Sequence, residues 1–592
     1  MDAQSDISLV DLEAQQAFLK NDTVHSFSWK ELIVTVKDGQ TKKMRDLICD
    51  INGHVERGLT ATGELMALMG PSGCGKTTLL NVLARRIPAS HARVSGATLV
   101  DGMHVDNESF KLITSYVEQE DALIGSLTVQ ETMRFAAELS LPRSVSSSER
   151  AHRVRMLLDA FGIHGQANTL VGTPIRKGIS GGQKRRLSVA SQLITCPKIL
   201  FLDEPTSGLD SKASFEVISY VKKLAKRNNL IVIASIHQPS TTTFELFDKV
   251  LLLSSGRTCY FGPTTQVSDY FGRIGYPMPQ YTNPAEFMLD VVSADFASYK
   301  EAAVRLVLWT LGWLVCQKIF QRKLSADVAR PDPGRVILSL LHRSLIKSNR
   351  DIVAYGIRIV MYLGLTSPGL AILMGTVWLR LHTSQEYIRP FINAIFFGSA
   401  FMSFMAVAYV PAYLEDRATF IKERANGLYG PTPFILSNFL IGLPYLFLIS
   451  ILFSIVAYWL SNFRSSGTAF FSWVMWLFLD LVAAESFVVF VSSVFPISSS
   501  PSRSSPLRTG CGCIRLPRHD GQRILPRVFS CGSACHFMYQ TDLASQCQIR
   551  GTGVLEQYGY AEGRTGKWVG ILIAIIAVYR LFGWIALVLR KS

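Results

Sequence analysis

Two hydrophobic rhythms divide the chain. As far as about Ala294, apolar residues come in short runs: Glu64–Met69 (ELMALM), Lys198–Leu202 (KILFL) and Leu230–Ile236 (LIVIASI). Runs of that length predict buried strands of a parallel sheet. Helical stretches accompany them, LLNVLARR after the first run and KRRLSVASQLI ahead of the second, so this half reads as α/β. Beyond Val353 the runs lengthen. Ile359–Leu379, Ile392–Leu414, Phe434–Leu460, Ala469–Phe495 and Trp568–Leu589 each reach the roughly 20 residues that a helix needs to cross a hydrocarbon core of about 30 Å. Ala302–Phe320 is also apolar, but Arg305 and Lys318 shorten it, and a span there would put the basic stretch Arg335–Arg350 outside. Arg335–Asn349 repeats apolar residues at Val336, Leu340, Leu341 and Leu345, which predicts an amphipathic helix lying on the cytosolic face. The expected organisation is therefore a cytosolic domain over 1–295, a linker and connecting helix over 296–352, and a multi-pass membrane domain over 353–592.

Composition sharpens this division. Of 592 residues 48% are hydrophobic and 18% charged, well below the charged share of about 25% in soluble domains. The deficit is local, since Val353–Ile497 holds 13 charged side chains in 145 residues. The first two dozen residues carry acids and lack a basic segment followed by an apolar core, so no cleavable signal peptide is expected and the N-terminal half is placed in the cytosol. Cys49, Cys74, Cys196 and Cys259 show no metal-ligand spacing and read as free thiols. The net charge of +15 could indicate nucleic acid, but eight Lys or Arg against two Asp lie between Lys318 and Arg350. That is the basic cytosolic flank of a membrane domain, so no nucleic-acid partner is expected. Asp480 and Glu485 fall inside the fourth long run, where each charge costs about 2.5–3.5 kcal/mol on insertion scales, so they should face protein or water and serve helix pairing before substrate contact.

The chemistry lies between the strands. Gly70, Pro71, Ser72, Gly73, Cys74, Gly75, Lys76, Thr77 and Thr78 follow the first run and precede a helix, the setting of a phosphate loop. Glycines let successive N–H groups turn inward around phosphate oxygens, Lys76 reaches the β and γ phosphates, and Thr77 offers a hydroxyl to Mg2+. The second run ends in Asp203-Glu204, which predicts a magnesium residue at Asp203 and a general base at Glu204. His237 closes the third run, beside the other two strand ends. Ser180, Gly181, Gly182 and Gln183 open a helix, a second potential anion site.

Together these pieces resemble the ATP-binding-cassette (ABC) ATPases over about Phe27–Ser293, six motifs occurring in family order. By that resemblance Ser180–Gln183 is the signature that meets the ATP of a partner, and Gln119 is the Q-loop glutamine, a catalytic and metal-site residue. Ser207, Gly208, Leu209 and Asp210 resemble the D-loop, and His237 the catalytic switch histidine. The family's cassettes pair head to tail, so one copy of each motif implies a second cassette. Phe27 and Trp29 lie near the first strand, and neither is assigned to adenine. Cassette first and membrane domain second resembles the G subfamily of White-like, breast cancer resistance protein-like half-transporters. NPAEF at Asn283–Phe287 and FIKERANGLYG at Phe420–Gly430 resemble its motifs, the second a cytosolic loop that with the amphipathic helix transmits cassette closure. The implied fold is an α/β P-loop ABC ATPase domain followed by an all-α polytopic membrane domain of ABC-2 type.

One stretch departs from that pattern. Ser498–Arg527 carries six Arg and four Pro where the family has a fifth span, so 498–550 is expected to be a gene-model error, from a shifted frame or retained intron. Five cysteines fall in Cys511–Cys547 and are assigned no pairing. The expected function is ATP-driven export of hydrophobic or amphipathic small molecules, of lipid, sterol or xenobiotic class, by a dimer of half-transporters. ATP and Mg2+ are its cofactors and the plasma membrane its expected site. The rival reading is a transport-inactive, membrane-anchored subunit or regulator. A soluble nucleic-acid ATPase is irreconcilable with the apolar spans.

Overall fold

The computed structural model describes residues 19–37, 43–57, 63–86, 92–119, 123–173, 176–293, 331–350, 377–378, 381–382, 384–495, 528–530, 548–550 and 565–589. They form two compact units, one comprising the chain up to Ser339 with Ile421–Tyr429, the other Leu340–Phe420 and the chain from Gly430.

The strands of the first unit are β1 (Ser26–Lys37), β2 (Met44–Glu56), β3 (Glu64–Met69), β4 (Ala92–Val100), β5 (Thr114–Val117), β6 (Ile199–Leu202), β7 (Ile231–Ser235), β8 (Lys249–Ser254) and β9 (Arg257–Pro263). An antiparallel sheet has the order β2-β1-β4. A second sheet has the order β5-β6-β7-β3-β8-β9, all neighbours parallel except β8 and β9. Every residue of β6 and β7 is buried, which is why these strands read as continuous apolar runs rather than as an alternation. Alternate residues serve two cores: Leu200, Leu202, Val232 and Ala234 face one, Ile199, Phe201, Ile231 and Ile233 the other. Phe27 and Trp29 are 0% and 1% exposed in the second core, so neither is available for base stacking.

Three helices of this unit matter for the site. They are α1 (Lys76–Leu83), α2 (Gly181–Leu193) and α3 (Ser211–Asn228), which start at Gly75, Ser180 and Asp210 respectively. The four cysteines of this half are free thiols, as their spacing predicts. The helix α4 (Pro333–Arg350) contains the expected amphipathic stretch. Val336 and Leu340 are buried, whereas Leu345 is 47% exposed.

In the second unit, α5 (Ile388–Met405) continues through a 3-10 turn at Ala406–Tyr409 into α6 (Val410–Ala425), of which the residues from Ile421 belong to the first unit. Then come α7 (Pro431–Leu460), α8 (Gly467–Val494) and α9 (Thr565–Leu589). Among the described residues four helical runs are long and apolar enough to span a membrane: Gln385–Ala425, Pro431–Leu460, Gly467–Val494 and Gly566–Leu589. The expected span Ile359–Leu379 and the rejected one at Ala302–Phe320 lie outside the described residues, save Val377 and Trp378. Within 498–550 only the antiparallel pair Val528–Ser530 and Gln548–Arg550 is described.

Buried polar groups tie these helices together. Ser399 and Ser403 on α5 each donate to Asp480 Oδ2 on α8 at 2.6 Å. Arg580 on α9 lies 3.9 Å from Glu485 on α8 and donates to Ser486 Oγ at 3.0 Å and Asn438 Oδ1 on α7 at 3.3 Å. The two intramembrane acids thus face protein, which fits the expected helix pairing. Lys347 of α4 is 5% exposed as a side chain and pairs with Asp416 of α6 at 2.7 Å.

Candidate functional site

The loop after β3 folds as it does because of its glycines. Gly70, Gly73 and Gly75 have φ of 151°, 78° and 104°, a region that residues with a Cβ rarely enter. At Gly70 a Cβ would also come within 2.3 Å of the Leu253 carbonyl oxygen. Gly75 caps α1 with no side-chain hydrogen bond, and no acid occupies the first turn. The amides that open α1 therefore stay available to an anion, with the helix dipole adding partial positive charge. Lys76 is 6% exposed, and its ammonium donates back to Gly70 O at 2.7 Å and Pro71 O at 3.1 Å, which holds the cation at the loop.

The carboxyl ends of β5, β6 and β7 bring the other predicted residues to the same edge. Thr77 Oγ1 lies 3.3 Å from Asp203 Oδ1. Gln119 Nε2 donates to Glu204 Oε2 at 2.8 Å, and His237 Nε2 lies 3.2 Å from Ser72 Oγ. Gln119 thus stands beside Glu204, the residue that follows Asp203 in the chain. Glu204 has a φ of 42°, an uncommon conformation for a residue with a side chain and one that clusters at functional sites.

Ser180–Gln183 shares no hydrogen bond with residues 70–78 among the described residues. Its geometry is a capping box: Ser180 Oγ accepts from Gln183 N at 3.3 Å, and Gln183 Oε1 accepts from Ser180 N at 2.9 Å. Asp210 caps α3 by accepting from Ala213 N at 2.7 Å, and Gly208 turns the chain with a φ of 73°.

Three residues unmarked by the motifs organise this edge. Tyr116 donates its phenol proton to Asp203 Oδ2 at 3.1 Å; burial, then the Asp203 carboxylate, push this phenol far above its ordinary range, so it stays a donor. Ser235 donates to Asp203 Oδ1 at 2.7 Å and accepts from Glu204 N at 2.8 Å. Arg185 of α2, 3% exposed, donates to the carbonyls of Glu118 at 2.7 Å, Gln119 at 3.1 Å, Asp203 at 2.7 Å, Glu204 at 3.0 Å and Pro205 at 3.2 Å. The segment Ile421–Tyr429 reaches the same strand end within the first unit. Asn426 accepts from Arg86 and donates to Gln192 Oε1 at 3.0 Å and Tyr116 O at 3.4 Å. Lys422 pairs with Glu118 at 3.4 Å.

The donor set suits a small hard cation that shares its coordination with a phosphate. Thr77 and Asp203 supply one hydroxyl and one carboxylate, and among the described residues no three His, Cys, Asp or Glu cluster into an all-protein metal cage. Mg2+ characteristically takes one or two carboxylates, waters and substrate phosphates.

Comparison with known proteins agrees with this geometry. Residues 59–207 match the ABC transporter family and residues 335–499 the ABC-2 type transporter family, a second ABC-2 type model matching residues 237–321. ABC transporter G family member 1 of Petunia hybrida is 33% identical over 85% of this chain and 80% of its own length. ABC transporter G family member 11 of Arabidopsis thaliana is 31% identical over 94% of this chain and 85% of its own. Member 17 of the same plant is 32% identical over 77% of this chain and 70% of its own. With a nucleotide-binding ABC ATPase domain ahead of a helical ABC-2 membrane domain, the chain belongs to the G family of ABC transporters, ATPase-coupled carriers of the membrane.

Proposed function

We propose that this chain is one half of a dimeric exporter of hydrophobic or amphipathic small molecules. The observation that carries the reading is the meeting of Lys76, Thr77, Gln119, Asp203, Glu204 and His237 at one sheet edge of a chain that also has four span-length helices. Lys76 and the amides of Gly73–Thr78 grip the β and γ phosphates. Thr77, Gln119 and Asp203 would hold Mg2+, which when bound would neutralise charge on those phosphates. Glu204, held by Gln119, accepts a proton from the water that attacks the γ-phosphorus, and the bond from γ-phosphorus to the bridging oxygen breaks to release ADP. His237, which contacts the loop at Ser72, is the residue that would meet the γ-phosphate. One copy each of the loop and of Ser180–Gln183, in a family whose cassettes pair head to tail, supports a second cassette, whose nucleotide that helix start would meet. Asn426 and Lys422 beside Tyr116 and Glu118 support a route from the nucleotide to the spans. The cassette is cytosolic and the plasma membrane the proposed site.

Glu204→Gln in the purified, reconstituted dimer tests this. It should trap nucleotide and abolish steady turnover; unchanged ATPase would overturn the assignment. The rival, a transport-inactive subunit, draws on one observation: the ABC-2 match ends at residue 499, where the Arg- and Pro-rich stretch begins. ATPase stimulated by members of a panel of sterols, lipids and drug-like dyes would exclude it. We propose further that 498–550 is not the native reading of the gene, and an uninterrupted transcript encoding it would remove that idea.

A further inference from the structure

Asp203 is held from both sides. Its Oδ1 accepts the Ser235 hydroxyl at 2.7 Å and its Oδ2 the Tyr116 phenol at 3.1 Å, while Thr77 approaches Oδ1 at 3.3 Å. Sheet register accounts for the convergence. Leu202 pairs with Val117 on one side and Ala234 on the other, so Ser235 stands level with Asp203 and Tyr116 two residues behind it, all on one face. Ser235, Tyr116 and Asp203 are 0%, 4% and 5% exposed, so water does not compete for these bonds.

The phenol is itself fixed. Arg86 lies over its ring at 4.3 Å, β6 pairs with its strand, and Asn426 donates to its backbone carbonyl. The terminal torsion of an aspartate is broad and roughly two-fold, so an unrestrained carboxylate would sample many orientations. Two preset hydroxyl donors, one per oxygen, select one of them. Ser235 also binds the Glu204 amide, which ties the positive-φ turn to the same carboxylate.

We propose that Tyr116 and Ser235 are positioning residues that clamp the Asp203 carboxylate toward Thr77 and so set the affinity of the nucleotide site for its divalent cation. The proposal rests on the reading of Asp203 as the magnesium residue. Tyr116 fills space as well, but a purely packing role resides in its ring. The clamp resides in its oxygen.

The test uses the full-length chain in nanodiscs with Mn2+ as a spectroscopic probe. Binding of Mn2+ in the presence of a non-hydrolysable ATP analogue is followed by electron paramagnetic resonance, and binding of a fluorescent ATP analogue is measured separately in EDTA. Tyr116→Phe and Ser235→Ala should each raise the Mn2+ half-saturation roughly tenfold, as expected for loss of a hydrogen bond to a charged group. Nucleotide binding in EDTA should stay at the wild-type level, and Ser235→Thr, which keeps the hydroxyl, should restore Mn2+ binding. Wild-type Mn2+ half-saturation in either Tyr116→Phe or Ser235→Ala overturns the clamp. Asp203→Asn is the separate control: if it binds Mn2+ like the wild type, the magnesium assignment fails instead. Tyr116→Phe removes one oxygen and no packing, so it keeps the proposal falsifiable even where a Ser235 variant does not fold.

Discussion

The Gln119 side-chain amide donates to the Glu204 carboxylate at 2.8 Å, joining the end of β5 to the residue that follows the Asp203 strand end. A carboxylate that activates water works best when a donor fixes its orientation. Gln119→Ala should therefore lower kcat for ATP about 10- to 100-fold, with KM changed less than about threefold. Steady-state ATPase of the reconstituted protein gives both numbers, and an equal rise in KM with kcat preserved would point to nucleotide binding instead.

Asp480 accepts two serine hydroxyls on the same oxygen. Asparagine keeps a carbonyl oxygen with two lone pairs, so Asp480→Asn should retain the α5–α8 link and leave thermal unfolding in detergent within about 2 °C of the wild type. Asp480→Leu should unfold several degrees earlier. Asp480→Asn with intact stability but lost transport would move this carboxylate from helix pairing to cargo contact.

The Glu485 and Arg580 charges lie in the packed interior of the second unit, with side chains 1% and 10% exposed. Truncating one partner leaves the other charge without its counterpart, a loss of about 3–5 kcal/mol, whereas replacing both with apolar groups is far milder. Glu485→Ala should lower the unfolding temperature strongly, and Glu485→Leu combined with Arg580→Met should recover most of the loss. A double variant no better than Glu485→Ala would show that the pair does not act as a unit.

His54 on β2 packs edge-on against Phe261 at 5.4 Å, and burial, then the charge of Lys249, lower its imidazole from the ordinary value of 6.5. The unfolded chain therefore takes up a proton near pH 6.5 while the folded chain does not. The contribution of this site is fully present above pH 6.5 and is lost as pH falls through 6.5 toward the lowered folded value. His54→Gln should flatten the fall in thermal stability of the purified chain between pH 7.5 and 5.5. An unchanged slope would assign that fall to other groups.

The strand ends were legible because a fully buried parallel strand needs an unbroken apolar run, and the first polar residue after it is forced to the sheet edge. Asp203, Glu204 and His237 were placed at the edge on that ground, and Lys76 by the glycine loop that follows the first run. Tyr116, Ser235 and Arg185 could not, because each acts across strands distant in sequence and only register makes them neighbours. Phe27 and Trp29 carried the opposite ambiguity: aromatic residues near a nucleotide motif, they turn out to be core. Hydropathy ends the second expected span at Leu414, whereas the helix continues to Ala425. Tertiary partners take up the charges that hydropathy counts against it, Asp416 meeting Lys347 and Arg417 donating to the carbonyls of Ser492 and Phe495.

The guanidinium of Arg185 acts as a rivet. One side chain rooted two residues past Gln183 fastens five backbone carbonyls on two separate segments, so α2 cannot roll or slide alone without shearing those bonds. A tug on the start of that helix at Ser180 is therefore handed, without slack, to the peptide groups that carry Gln119 and Glu204.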